Sequence, residues 1–207
     1  MPTEPAVRLL LASGSPRRAQ ILQDLGSDFE VISSDIDDGE LTPPPGSTAT
    51  TWTIAMAYLK ARAAIDGLAP GTPGIVMGAD TSCELDGRII GKPASADQAR
   101  DTVRAMAGRT QRVVTGVALV DPAQPRSRRL LVADVALVTF GTLDAATLDA
   151  YIATDQWRGK AGGYNLSERI ADGWPVTVEG DPDTVVGLPT RQLPAWLAHV
   201  RSWEAGL

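Results

Sequence analysis

The chain has 207 residues, 43% apolar and 21% charged, with a net charge of −6 and an isoelectric point near 4.8. That is the size of one domain, or of two lobes sharing a core, with enough apolar mass to bury that core. The acidic balance excludes wrapping around a long polyanion, so no nucleic-acid polymer is expected as partner; no run approaches the ~20 apolar residues of a membrane span and residues 1–12 lack a signal-peptide pattern, so a cytoplasmic location is expected.

In chain order, Val7 to Ala12 is a short apolar run that reads as a buried strand. Ser15-Pro16 then opens a helix, with Ser15 as N-cap and Pro16 at the first helical position. Ile21, Leu22 and Leu25 give that helix an apolar stripe, and Gly26 ends it. Phe29 to Ile32 reads as a strand and Asp35 to Gly46 as a loop, acidic and then proline-rich. Thr50 to Ile65 is an alanine-rich helix, and Gly67 to Gly74 a loop. Ile75-Val76-Met77 predicts a buried strand that ends at Gly78-Ala79-Asp80-Thr81, and Asp86-Gly87 predicts a hairpin turn. A helix over Asp97 to Ala107 closes at Gly108. Val113 to Val120 and Leu130 to Phe140 are the longest strand candidates, followed by a helix over Leu143 to Ala153. Gly159 to Tyr164 and Gly180 to Pro189 read as glycine-rich loops, and a C-terminal helix carries Leu193, Trp196, Leu197, Val200 and Trp203. Strands and helices intermingle, which predicts an α/β or α+β domain with a mixed sheet.

The residue supply narrows the chemistry. A single cysteine, Cys83, and a single histidine, His199, exclude an internal disulfide and a thiolate zinc site. His199 falls in the C-terminal apolar pattern and reads as a helix-surface residue, so a Ser-His-Asp triad has no base. Hydrolysis would have to use carboxylates, lysines, arginines and a hard cation held by oxygen.

Two segments fit that description. Ser13 to Arg18 places hydroxyls, a glycine and two guanidinium groups at a helix N-terminus that directly follows a strand. Free backbone N–H groups, the helix dipole and forked cations there converge on an anion, most naturally a polyphosphate. Read alone, the same segment is equally an ordinary capped helix with two solvated arginines. It is not a P-loop, because the GxxxxGK[ST] spacing is absent. Asp80, expected at a strand end, could hold magnesium or take a proton from water, or could be a hydrogen-bonded turn residue. Lys60 and Lys92 could contact phosphate but singly read as solvated charges. Asp37, Asp38 and Glu40 form an acidic loop cluster, and Glu84 would share a strand face with Asp80 if the strand continued. Glu84 reads as a surface residue, with a metal role left open for it and for Asp38.

Together the motifs resemble the Maf family of nucleoside triphosphate pyrophosphatases. The resemblance is carried by Leu11 to Arg18, Gly78-Ala79-Asp80-Thr81, Asp86-Gly87 with Gly91-Lys92-Pro93, Gly108-Arg109 before Val114 to Val117, Lys160-Ala161-Gly162-Gly163-Tyr164, and Val186-Gly187-Leu188-Pro189. They lie in register over nearly the whole chain, as one Maf-like domain spanning 1–207. The resemblance implies an α/β fold similar to the inosine triphosphate pyrophosphatases, with a long curved mixed sheet and two lobes around a central cleft. It implies cleavage of a nucleoside triphosphate between the α and β phosphates, a divalent cation, usually magnesium, and often a homodimer. It places the catalytic acid, also a metal ligand, on Asp80 and a second acidic, metal-binding position on Asp38. It places phosphate contacts on Ser13, Arg17, Arg18, Lys60 and Lys92.

Three departures from the family pattern stand out. Asp38 replaces a glutamate, Gln111 replaces a histidine found in many members, and Ser167, within Asn165-Leu166-Ser167-Glu168, stands where members acting on dTTP and UTP read the base with glutamine. Arg17 and Thr81 match that pyrimidine-preferring branch and Ser167 does not, so the base is left open, with Thr81 and Ser167 as candidate substrate contacts. The competing functions are a non-catalytic nucleotide-binding regulator of cell division and septum formation, and a nucleotidyltransferase, for which no acceptor-sugar site is visible. Trp157 and Trp174 flank the glycine-rich loop and are candidates for a base pocket or a dimer contact.

Overall fold

The computed structural model describes residues 8–34, 36 and 41–203. Asp38, with Asp37 and Glu40, lies outside the described residues. The chain forms one seven-stranded sheet in the order β2-β1-β3-β5-β6-β7, with β4 also paired to β3. Its strands are β1 (Leu9–Ala12), β2 (Phe29–Val31), β3 (Ile75–Leu85), β4 (Arg88–Ile90), β5 (Thr110–Val120), β6 (Arg129–Phe140) and β7 (Val176–Glu179). β1 runs parallel to β2 and β3, and the other pairings are antiparallel, so the expected mixed sheet is present. The helices are α1 (Pro16–Asp24), α2 (Ala49–Asp66), α3 (Ala96–Met106), α4 (Ala145–Ala153), α5 (Leu166–Ala171), α6 (Pro182–Val186) and α7 (Leu193–Arg201).

Helix α2 starts at a reciprocal capping box between Thr48 and Thr51. It buries Thr53, Ala57, Lys60, Ala61 and Ala64 against β3 and β5. The approach is close because the sheet has no side chains beneath it at two points. A Cβ on Gly78 would lie 2.0 Å from the Ala57 carbonyl oxygen, and one on Gly116 would lie 2.6 Å from that of Thr53. These glycines therefore serve backbone-to-backbone packing, in keeping with the role of glycine at a close approach.

The opposite face of β3 packs in two sections. Ile75, Met77 and Ala79 join Leu9, Leu11, Leu22, Leu188 and Leu193 in one apolar cluster. Cys83 and Leu85 join Val103, Met106, Phe140, Tyr151 and Trp157 in another. Thr81 is the residue of that face between them. Trp157 and Trp174 belong to the second cluster, 1% and 8% exposed, so both are core residues and line neither a base pocket nor an outer surface.

The structure departs from the sequence reading at four elements. β3 does not end at Gly78 to Thr81 but runs on to Leu85, because β5 pairs with it as far as Glu84. Asp80 is therefore an interior strand residue. The segment from Gly180 to Pro189 is not all loop: Asp181 and Pro182 start the short α6. Helix α5 and strand β7 are six and four residues long, too short for periodicity to reveal. The Asp86-Gly87 turn forms as predicted, with φ of 51° and 73° at its two centres.

Candidate active site

The site grows out of a gap along one edge of β3. β1 accompanies β3 only as far as the pair Ala12–Gly78, and β4 joins the same edge only from Cys83, opposite Ile90. Between these points, Ala79 to Ser82 has no strand on that edge among the described residues. The turn Ser13-Gly14-Ser15 leaves the end of β1 at one side of the gap, and Gly91-Lys92 leaves the end of β4 at the other. Such an interruption in strand order is where open α/β sheets place ligands. A cavity of 520 Å³ lies there, within the size range of small-molecule sites. Asp80 and its neighbour Thr81 point to opposite faces of β3, yet both line it.

Asp80 is 8% exposed, and its Oδ1 accepts a hydrogen bond from Lys60 Nζ at 2.8 Å, an ion pair in which both side chains are nearly buried. Lys60 reaches Asp80 because Gly78 and Gly116 let α2 lie flat on the sheet, and Gly116 is the cross-strand partner of Asp80. Arg17, Arg18, Lys60, Lys92 and Lys160 all line the cavity, and Asp80 is the single carboxylate among its described lining residues. A protein of net charge −6 thus concentrates cations around this one space.

The Ser13 to Arg18 turn has two different arginines. Arg17 is exposed on the cavity wall. Arg18 is buried and donates from each of its three nitrogens to the protein: Nε to the Gly187 carbonyl at 3.0 Å, Nη1 to Ser13 Oγ at 3.0 Å and Nη2 to Thr81 Oγ1 at 3.2 Å. It therefore fastens the first turn to β3 and to the end of α6, and its planar fork suits that three-way task. Thr81 Oγ1 also lies 2.8 Å from Thr115 Oγ1, which donates to the Thr184 carbonyl at 2.6 Å. Ser15 makes no side-chain cap hydrogen bond and Pro16 has no N–H. Among the described residues no N-cap side chain closes the α1 N-terminus, which lines the cavity and suits an anion there.

The far wall is the glycine-rich loop. Gly162 has a positive φ of 70° and its N–H donates to the Gly91 carbonyl at 3.1 Å, which joins this loop to the segment carrying Lys92. Lys160, Tyr164, Asn165 and Leu166 line the cavity. Ser167 is exposed on the first turn of α5 and is not among the lining residues; Asn165 and Leu166 take that part of the wall. Asn165 is the N-cap of α5, its side chain accepting from the Glu168 N–H.

Glu84 is not a surface residue. It is 9% exposed, accepts from the Ala49 N–H at 3.2 Å and pairs with Arg112 at 2.7 Å, so it anchors the start of α2 to the sheet. Gln111 is buried, donates to the Tyr164 hydroxyl at 2.8 Å and leaves its Oε1 unpartnered. Burial pushes the Cys83 thiol up to about 12 and the Tyr164 phenol well above its ordinary value. Neither is a nucleophile at neutral pH. His199 is exposed on α7, as the sequence reading has it.

No group of three or more metal-binding side chains occurs among the described residues, and no helix among them is long and apolar enough to cross a membrane. Ser13, Arg17, Arg18, Lys60, Asp80, Thr81 and Lys92 are brought together around one cavity. Reading the sequence missed Thr115, whose hydroxyl holds Thr81, and Glu168, which pairs with Lys160 at 2.5 Å. Thr115 had no signal beyond its place in an apolar strand, and Glu168 was visible only as a charge eight residues after Lys160.

Comparison with known proteins identifies the family. The family model described as Maf-like protein matches residues 8–200. A dTTP/UTP pyrophosphatase of Pelotomaculum thermopropionicum is 38% identical over 89% of this chain and 92% of its own length. Others, from Moorella thermoacetica and Colwellia psychrerythraea, are 38% and 35% identical, over 92% and 95% of this chain and 94% and 90% of their own. A solved HAM1 protein from Coxiella burnetii aligns with 18% identity and a TM-score of 0.44 over 80% of this chain and 90% of its own. The match across 8–200 and the identity to these relatives place the chain in the Maf family.

Proposed function

We propose that this chain hydrolyses nucleoside triphosphates to the monophosphate and pyrophosphate. The observation that carries the reading is Asp80, the single carboxylate among the described residues of the cavity wall, held by Lys60 where every other charged lining residue is a cation. In this reading the α1 N-terminus, Ser13, Arg17 and Lys92 take the phosphate oxygens and stabilise charge that develops on the departing pyrophosphate. Arg18 keeps Ser13 and Thr81 in place while this happens. Asp80, fixed through Oδ1 by Lys60, orients a water and removes its proton as the water oxygen bonds to the α phosphorus and the bridge to the β phosphate breaks.

A divalent cation fits this donor set. Magnesium binds through one or two carboxylates plus substrate phosphates rather than in an all-protein cage, and the lining offers one hard carboxylate, Asp80. When bound, the cation neutralises phosphate charge. The relatives' names point to pyrimidine triphosphates as the base class, and Arg17 and Thr81 agree with that branch. A non-catalytic regulator would leave the Lys60–Asp80 arrangement without a task.

The test is turnover of a panel of nucleoside triphosphates with magnesium, for the wild type and Asp80→Asn. The reading expects turnover highest for dTTP or UTP and lost in the variant. Binding across the panel without turnover would refute it.

A further inference from the structure

Lys160 lines the cavity with its ammonium already occupied. Its Nζ lies 2.5 Å from Glu168 Oε2, with the lysine side chain 16% exposed and the glutamate 41%. Glu168 is the third residue of α5 and is not among the lining residues. Arg169, the other cation within reach of Glu168, is 3.8 Å away and is engaged elsewhere, with Asp172 at 3.1 Å and over the Tyr151 ring at 4.2 Å. Glu168 therefore has Lys160 as its main partner. A cation on the wall of a polyphosphate-sized cavity is paired with an internal carboxylate just outside it.

We propose that Lys160 is a further substrate-binding residue, and that Glu168 is its internal competitor. In the free protein Glu168 holds the Lys160 ammonium; a nucleoside triphosphate takes that ammonium by offering phosphate oxygens, and the carboxylate turns to solvent. A partly exposed pair of this kind is weak enough to exchange. Glu168 thereby sets the affinity for the anionic part of the substrate without touching it. The proposal rests on the reading of the cavity as a triphosphate site.

Steady-state kinetics with dTTP and magnesium on the full chain test it, together with calorimetric binding of inorganic triphosphate. Glu168→Gln lowers KM and the triphosphate Kd by about two- to fivefold, the range of exposed ion pairs. Lys160→Met raises both, and Lys160→Arg, which keeps the cation, stays near the wild type. The double variant Lys160→Met/Glu168→Gln behaves as Lys160→Met alone, because Glu168 acts only through Lys160. If the pair merely clips α5 to the loop, both single variants shift KM upward and lower Tm, which overturns the proposal. A lower KM from Glu168→Gln that persists in the Lys160→Met background overturns it too, as does no change in any variant. A wild type that neither turns over nor binds any triphosphate instead refutes the function on which the proposal rests.

Discussion

Lys60 and Asp80 meet at 2.8 Å between a helix and a strand that touch backbone to backbone. The ion pair on the cavity wall depends on the absence of two side chains, at Gly78 and Gly116, as much as on its own two residues. Removing Lys60 strands a nearly buried carboxylate. Lys60→Met is expected to lower stability by about 3 kcal/mol, and Lys60→Met/Asp80→Leu to recover at least half of that. Chemical denaturation of both variants checks it, and equal stability of the two would show that the pair is not electrostatically coupled.

Gly78→Ala tests the packing directly. The added methyl meets the Ala57 carbonyl at 2.0 Å, a contact that can be relieved only by lifting α2 from β3. A loss of about 3 kcal/mol or more is expected, with turnover reduced because Lys60 moves with the helix. Urea denaturation alongside an activity assay measures both, and a stable, active variant would mean that the helix does not need this contact.

Arg18→Lys keeps the charge and removes the fork that reaches Ser13, Thr81 and Gly187 together. About 1–3 kcal/mol of stability is expected to go with the lost bonds. Catalytic efficiency is expected to fall about ten- to a hundredfold because the first turn is no longer fixed to β3. An arginine that served only as a phosphate charge would instead raise KM at unchanged Tm.

Alkaline stability carries a defined sign. The folded Cys83 thiol is raised to about 12 from 9.0 by burial, so its contribution is complete below pH 9 and is lost as pH climbs toward 12. Tyr151, raised to about 12 from 10.0 by burial, adds to the loss over the upper part of that window. Unfolding free energy should fall by about 1.4 kcal/mol per pH unit for the cysteine alone. Cys83→Val should flatten the slope between pH 9 and 10. An unchanged slope in that variant would assign the effect to other groups.

Much of this was legible from residue types. The β1–turn–α1 unit was written in an apolar run followed by Ser15-Pro16, and the Asp86-Gly87 hairpin in a turn that needs positive φ at both centres. The full length of β3 was hidden because Gly78, Ala79 and Asp80 have poor strand propensity; pairing with β5 and the close approach of α2 override it. Arg17 and Arg18 are adjacent in sequence and similar in chemistry, yet one is exposed on the cavity wall and the other ties three segments together, because Thr81 and Gly187 come near only in the fold. Ser167 shows the reverse limit: register with a base-reading position did not place its side chain at the cavity, since α5 turns it to solvent and leaves Asn165 and Leu166 on the wall.

The identity of the products tests the central claim most directly. With dTTP and magnesium, phosphorus NMR should show dTMP and pyrophosphate appearing together in equal amounts, and neither with Asp80→Asn. Release of dTDP and orthophosphate would place the attack on the γ phosphate and contradict the account, as would full activity in the Asp80→Asn variant.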